Sequence, residues 1–157
     1  MNWRNFTQVA GVIAAGLFLA VNAQADASKK RLAIQGYDAV AYFTMSKPMV
    51  GDPRYQYEWD DAVYRFVSAK HRKMFKADPE HYVPRYQGLC AMGLGVKGYK
   101  VVANPKYWVI HDGRLYVTQR SFGPPGFRKA PRRWARKASE HLRALGSAPV
   151  GSALSWW

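Results

Sequence analysis

Cysteine is the scarcest residue of this chain of 157 amino acids, and Cys90 is its only instance. A single thiol excludes an intramolecular disulfide framework and any zinc or iron–sulfur site built from several thiolates of one chain. Acidic residues are also few, 10 against 24 Lys and Arg, so the formal net charge is +14. Hydrophobic residues make up 48% of the chain, which supplies a packed core and excludes wholesale disorder.

Long apolar runs are missing as well. Residues 9–21 form an uncharged run of 13 residues, whereas a membrane-spanning helix requires about 20. Arg4 precedes the run, and Ala23 and Ala25 follow it at the two positions that a signal peptidase reads. This order predicts a cleavable signal peptide over residues 1–25 and a periplasmic or secreted protein. The alternative is that the segment stays uncleaved as a short anchor.

Export determines which anions the positive charge can meet. Inside the cytosol, a basic and aromatic-rich chain would first suggest nucleic acid. An exported chain meets anionic lipid headgroups and acidic proteins instead. We therefore predict an acidic protein or an anionic envelope lipid as partner, no nucleic acid, and a monomer.

The mature chain divides into three predicted parts. Residues 26–33 are polar and are predicted to be a flexible lead-in. Residues 34–120 carry nearly all the strand and turn signals and are predicted to form the folded body. Residues 121–157 read as a Gly/Pro linker, a basic helix and a flexible tail that ends in Trp156 and Trp157.

Two hairpins are predicted within the body. Apolar and polar residues alternate over 54–59 and again over 62–67, with a turn at Asp60 and Asp61, which is typical of two half-buried strands. The second hairpin joins 108–111 to 115–118 through Asp112-Gly113, a pair that suits a type I′ turn.

The remaining body signals are more mixed. Ser68 is a predicted N-cap for a central helix over 69–77, and Asp78-Pro79 ends that helix or restarts it for one turn. Short strands are predicted over 37–43 and 99–103, and the stretch 85–98, rich in glycine, is predicted to be a loop. The fold class is therefore α+β, a small single domain of antiparallel hairpins with one central helix and a C-terminal basic helix.

Several stretches of the body resemble proteins of the YHS-domain family, in particular its exported bacterial branch. The resemblance covers roughly residues 34–118 and is distributed over several motifs rather than concentrated in one. The matching runs are Gln35–Phe43, Tyr64–Ala69, Met74–Tyr82, Tyr86–Ala91 and Asp112–Tyr116.

This resemblance implies a small metal-associated module, with copper and zinc as the metals concerned. Relatives bind metal through cysteines at three positions, which correspond here to Ala41, Val67 and His71. Of these three residues, His71 alone carries a ligand atom.

The chain offers its own candidate metal ligands beside that pattern. Cys90 and Met92 supply soft sulfur donors suited to Cu(I), which His71 or His81 could complete. The alternative for Cys90 is a buried small hydrophobe, and a catalytic nucleophile is a third reading. His71 and His81 are ten residues apart, so no single helix face presents both, and each is alternatively a polar surface residue. We predict a copper or zinc ion as the cofactor.

No catalytic motif is present, so no enzymatic activity is predicted. Residues 93–98 match the glycine fingerprint of dinucleotide sites. That fingerprint requires a strand before it and a helix after it, whereas strand and turn signals follow here, so we reject the match. Asp38 is predicted to bond nearby backbone N–H groups rather than to act as a base.

The C-terminal helix has an apolar stripe with basic residues around it. Trp134, Ala138, Leu142 and Leu145 recur at the helical period of 3.6. One interpretation is that the stripe packs on the body and the charge faces water. The other is an anchor to an anionic surface. The candidate anion-binding residues are Arg132, Arg133, Arg136 and Lys137.

Two functions follow from these observations. The first is an exported YHS-like binding module, without enzymatic activity, that handles or senses copper or zinc. The second is an envelope interaction protein, without metal, whose basic C-terminal helix binds an acidic partner or an anionic membrane surface.

Overall fold

A computed structural model describes residues 30–152 of the chain. The predicted signal peptide, residues 26–29 of the lead-in, and Trp156 and Trp157 lie outside the described residues, so these assignments stay predictions. Within residues 30–152, no helix is both long enough and apolar enough to cross a membrane.

Among the described residues, two small antiparallel sheets carry the strands. The first has the order β1-β3-β2, formed by β1 (Arg31–Leu32), β2 (Asp52–Trp59) and β3 (Ala62–Phe66). The second pairs β4 (Asn104–His111) with β5 (Arg114–Thr118). Both predicted hairpins are confirmed, and with the helices described below they confirm the α+β class.

The hairpin turns follow from residues that accept positive φ. Asp112 and Gly113 have φ values of 48° and 67°, and Asp60 and Asp61 have 48° and 55°. Positive φ at both central residues defines the type I′ turn, whose twist matches that of the paired strands. The Asp-Gly signal therefore predicted the second turn correctly.

The central helix also begins and ends as its sequence indicates. In α2 (Ala69–Ala77), the hydroxyl of Ser68 accepts the N–H of His71, which satisfies one of the free donors of the first turn. The side chain of Asp78 accepts the N–H of His81 and opens a further turn, α3 (Pro79–Tyr82).

Two strand predictions are wrong. Residues 37–43 form an isolated bridge at Tyr37 followed by α1 (Ala41–Thr44). A helix starts there because the carboxylate of Asp38 accepts backbone N–H groups of the first turn. Residues 99–103 pair with a neighbouring segment through an isolated bridge between Leu89 and Val102.

The predicted loop over 85–98 contains a helix instead. α4 spans Ala91–Lys97 and ends at Gly98, which adopts the left-handed conformation with φ of 62°. Glycine is a poor helix former, but here it permits close packing. A Cβ atom on Gly95 would lie 2.9 Å from the carbonyl oxygen of Trp134 on the C-terminal helix.

The predicted Gly/Pro linker is a helix as well. α5 spans Gly123–Lys129 with prolines at its first positions, where a missing N–H costs nothing. α6 follows at Pro131–Leu145. Ala138 and Leu145 are buried, so the apolar stripe packs on the body, as the first interpretation of this helix expected.

Residues 30–152 contain two hydrophobic cores. The first surrounds Phe75, whose ring centroid lies 4.6 Å from that of Tyr64 and 5.1 Å from that of Phe66. The second joins the hairpin β4–β5 to the last three helices. Its buried members are Tyr86, Ala91, Leu94, Val109, Tyr116, Phe127, Ala138 and Leu145.

Replacing Gly95 by Ala tests the close approach of α4 and α6. The added methyl group would meet the backbone oxygen of Trp134 at 2.9 Å, so we expect a loss of about 1–3 kcal/mol in unfolding free energy, measured by urea denaturation. The matched control is Gly126→Ala in α5, where the nearest atom is the flexible Cε of Met92 at 3.4 Å. The control should be neutral or slightly stabilising, and equal losses for both variants would contradict this packing.

Candidate functional site

Asp38 is a fully buried carboxylate with four hydrogen-bond donors around it. Its Oδ1 accepts the N–H of Val40 at 2.8 Å and that of Ala41 at 3.2 Å. Its Oδ2 accepts the N–H of Val67 at 2.8 Å and lies 2.6 Å from Nδ1 of His71. The predicted backbone bonding of Asp38 is confirmed, whereas the imidazole partner has no signal in the sequence.

The imidazole of His71 is held at both nitrogens. The residue is 8% exposed, and Nε2 lies 3.3 Å from the hydroxyl of Thr44. That hydroxyl also donates to the carbonyl of Val40 at 3.1 Å. The order of carboxylate, imidazole and hydroxyl is that of a nucleophilic triad, but the Thr44 hydroxyl is engaged within its own helix. We interpret the cluster as a polar lock between α1 and α2.

Cys90 does not belong to the cluster of Asp38, His71 and Thr44. It is 4% exposed, and its Sγ accepts the N–H groups of Gly93 and Gln119, each at 3.2 Å. The sulfur caps the start of α4 and reaches the residue that follows β5. Burial of this thiol was one of the alternatives that the sequence left open.

A cavity of about 450 Å³ borders this thiol, and Met92 lies in the same wall. Phe122, which is 69% exposed, and Tyr99, which is 44% exposed, contribute much of its apolar rim. Arg120 and Lys97 also line this cavity. The predicted pair of sulfur residues therefore shares one cavity.

His81 lies apart from both the cluster of Asp38 and the cavity of Cys90. Its ring packs against those of Phe43 and Tyr82 at centroid distances of 4.8 and 4.7 Å. It lines a cavity of about 310 Å³ together with Glu80 and Asp112. Neither histidine lines the cavity of Cys90. Across residues 30–152, no three His, Cys, Asp or Glu side chains form a group that could hold a metal ion.

The basic residues of α6 differ in how they are engaged. Arg136 pairs with Glu140 at 2.8 Å, and the guanidinium of Arg133 lies 4.9 Å from the ring centroid of Trp134. The side chain of Arg132 is exposed and makes no hydrogen bond or ion pair with any residue in 30–152. Lys137 is half-buried and likewise has no ion pair within that range. The helix thus presents positive charge that its own acid does not neutralise.

Two residues that the sequence did not single out hold α6 in place. Lys100 is 7% exposed, and its ammonium group donates to the carbonyls of Gly146 and Ala148 just after the helix. Nδ1 of His141 lies 2.6 Å from the carbonyl of Leu94 in α4. Neither residue belongs to a motif, so only tertiary structure reveals these contacts.

Tyr42 on α1 is a buried phenol without an acid–base role. Its hydroxyl donates to the carbonyl of Pro105 at 2.9 Å. Burial raises the pKa of Tyr42 far above its ordinary value, and the neighbouring Tyr37 and Asp38 raise it further. The phenol therefore stays protonated and serves as a hydrogen-bond donor between α1 and β4.

The geometry defines a small α+β domain with a polar lock and a separate cavity containing two sulfur side chains. Compared with known proteins, the chain matches no protein-family model, no curated protein and no solved structure. The resemblance to the YHS family therefore stays a prediction from the motifs, and function has to be argued from the site itself.

If the polar lock of Asp38 and His71 stabilises the fold, substitutions in it should lower the unfolding free energy. Replacing Asp38 by Asn should lower the unfolding free energy by about 3 kcal/mol, because an amide NH₂ replaces one carboxylate oxygen and leaves buried donors without an acceptor. A double-mutant cycle with His71→Gln should show strong coupling between the two side chains. The matched control is Asp78→Asn, a change at an exposed helix cap, where Asn caps about as well as Asp. A loss at Asp38 no larger than at Asp78, or additive effects in the cycle, would contradict the lock.

Proposed function

We propose that this chain is a binding module, without enzymatic activity, that holds a copper(I) ion through Cys90 and Met92. One observation carries the proposal. The only thiol of the chain and a thioether two residues away border the same cavity of about 450 Å³.

The chemistry of these donors favours copper(I). Thiolate and thioether sulfur are soft ligands and select Cu(I) among the biological metals. The two backbone N–H groups directed at the Cys90 sulfur suit a ligand that carries negative charge. A thiolate and a monovalent cation together are neutral, which lowers the cost of burial in a largely apolar wall.

Zinc fits this cavity less well. Structural zinc takes four ligands in a tetrahedral arrangement, drawn from Cys, His, Asp and Glu. Among the described residues, Cys90 is the only one of these types in the cavity wall. His71, a ligand expected from the sequence, is engaged with Asp38 and Thr44, so the sulfur pair is the better supported site.

Copper(I) competition tests this function. With the full chain under reducing, anaerobic conditions, we expect one Cu(I) per chain to be withdrawn from the chromophoric chelator bicinchoninate. Cys90→Ser should abolish the transfer, and Met92→Leu should weaken Cu(I) binding by about tenfold or more.

Met74→Leu is the matched control, because this methionine packs against the first core. It should leave Cu(I) affinity unchanged. No transfer to the wild-type chain, or undiminished transfer to Cys90→Ser, would contradict the proposal.

We infer a second function from the unneutralised charge of α5 and α6, namely binding to an anionic phospholipid surface. Arg128, Lys129 and Arg132 are all exposed, and each basic side chain near anionic headgroups contributes about 1 kcal/mol. Phe122 is 69% exposed just before α5. An exposed aromatic ring beside cations favours a lipid interface over an acidic protein.

Vesicle sedimentation tests this second function. The full chain should bind vesicles of phosphatidylglycerol and phosphatidylcholine and be released by salt. We expect Arg128→Glu combined with Arg132→Glu to lower vesicle affinity by more than about tenfold. The control, Lys70→Glu combined with Lys73→Glu, changes the same charge on exposed positions of α2 and should have a smaller effect.

Two results would contradict lipid binding. One is equal binding to vesicles of phosphatidylcholine alone. The other is no sedimentation with the anionic vesicles, which would leave an acidic protein as the partner that the same charge fits.

A further inference from the structure

A second cavity, of about 500 Å³, lies between the tip of the first hairpin and the C-terminal end of α6. It shares no described lining residue with the cavity of Cys90. Its volume falls within the range of about 300–1,000 Å³ that is typical of small-molecule sites. The residues that matter for its chemistry are Trp59, Asp60, Arg85, Tyr86, Lys100 and Arg143.

The ammonium group of Lys100 is the central feature of this cavity. The residue is 7% exposed, and two of its N–H donors bind the carbonyls of Gly146 and Ala148, the latter at 2.7 Å. Within residues 30–152 the third donor has no partner, and the ammonium forms no ion pair. The end of a helix carries about half a negative charge, so the buried charge is only partly balanced. A buried charge without a full counter-charge is costly, which favours an anionic ligand.

Two arginines and one aspartate also line the cavity. Arg85 and Arg143 are both exposed guanidinium groups in its wall. Arg143 uses its Nε to donate to the carbonyl of Ser139, which leaves its terminal N–H groups for a ligand. Asp60 is the single carboxylate in the described wall. The excess of positive charge favours an anion, and Asp60 disfavours a second negative charge on it.

Aromatic rings form part of the apolar wall, together with Val83, Pro84, Leu89 and Leu142. Tyr86 is held in place because its hydroxyl donates to the carbonyl of Ala135 at 2.8 Å. The indole of Trp59 is half-buried and packs edge-on against Phe75, with ring centroids 6.4 Å apart. Rings that are already ordered bind a planar group at little entropic cost.

We propose that this cavity binds a small aromatic monocarboxylate. The carboxylate lies against the third N–H of Lys100 with the guanidinium groups around it, and the ring packs against Trp59 and Tyr86. The site is separate from the proposed copper site and does not depend on it.

Titration of the full chain with benzoate, followed by ¹H–¹⁵N NMR, tests the proposal. We expect saturable shifts of the Trp59 indole N–H, assigned by Trp59→Phe. Benzamide, a neutral molecule of the same shape, should bind about tenfold more weakly because it lacks the charge. Cyclohexanecarboxylate should also bind more weakly, because it keeps the charge but has no flat ring.

Variants distinguish binding of benzoate in the cavity from nonspecific attraction to the positive charge of the protein. Arg143→Gln should weaken benzoate binding by about fivefold or more, whereas Arg132→Gln, on the same helix but outside the cavity wall, should leave it unchanged. Lys100→Met should abolish binding. If that variant fails to fold, because Lys100 also caps α6, Arg85→Gln replaces it and should weaken benzoate binding as Arg143→Gln does.

Four results would overturn the proposal. These are equal affinity for benzoate and benzamide, equal effects of Arg143→Gln and Arg132→Gln, undiminished binding to Arg85→Gln, and shifts that do not saturate. Cys90→Ser should bind benzoate like the wild type, so failure of the copper site and failure of this site are distinguishable.

Discussion

The first core depends on the hydrogen bonds made by the buried carboxylate of Asp38. This carboxylate gathers the N–H groups at the start of α1, the N–H of Val67 after β3, and the imidazole of His71 on α2. These N–H groups lie at the start of a helix and just after the end of a strand, where no regular helix or sheet bond satisfies them. A buried donor without an acceptor costs about 1–3 kcal/mol, so one carboxylate that accepts three of them, and an imidazole as well, is a strong reason for this local arrangement.

The second constraint is the position of α6. Gly95 permits its close approach to α4, His141 joins it to the carbonyl of Leu94, and Lys100 holds the segment that follows it. The cavity proposed for the aromatic monocarboxylate is lined in part by this helix. Cys90 caps the start of α4, the short helix against which α6 packs. Both proposed binding sites therefore depend on the C-terminal helix being part of the body rather than an appendage.

The sequence predicted those parts of the fold that local chemistry determines. Period-two alternation identified both hairpins, and Asp112-Gly113 and Ser68 identified a turn and a helix start, because each acts on residues next to it. The helices at 91–97 and 123–129 were missed because glycine and proline are weak helix signals, and packing against α6 and the second core outweighs them.

The contacts of the candidate sites also divide into those between near neighbours in the sequence and those between distant residues. Cys90 and Met92 are two residues apart, so their shared cavity wall followed from a local pattern. The pairing of Asp38 with His71 spans 33 residues, and that of Lys100 with Ala148 spans 48. No periodicity or motif reports contacts over such separations, because they arise only when the elements pack.

Copper(I) binding by Cys90 and Met92 is tested most directly by X-ray absorption spectroscopy at the copper edge of the loaded, full-length protein. The geometry of the cavity predicts a first shell of sulfur scatterers that is lost in Cys90→Ser. A first shell dominated by imidazole nitrogen, unchanged in Cys90→Ser, would instead place the metal at the histidines and contradict the proposed site.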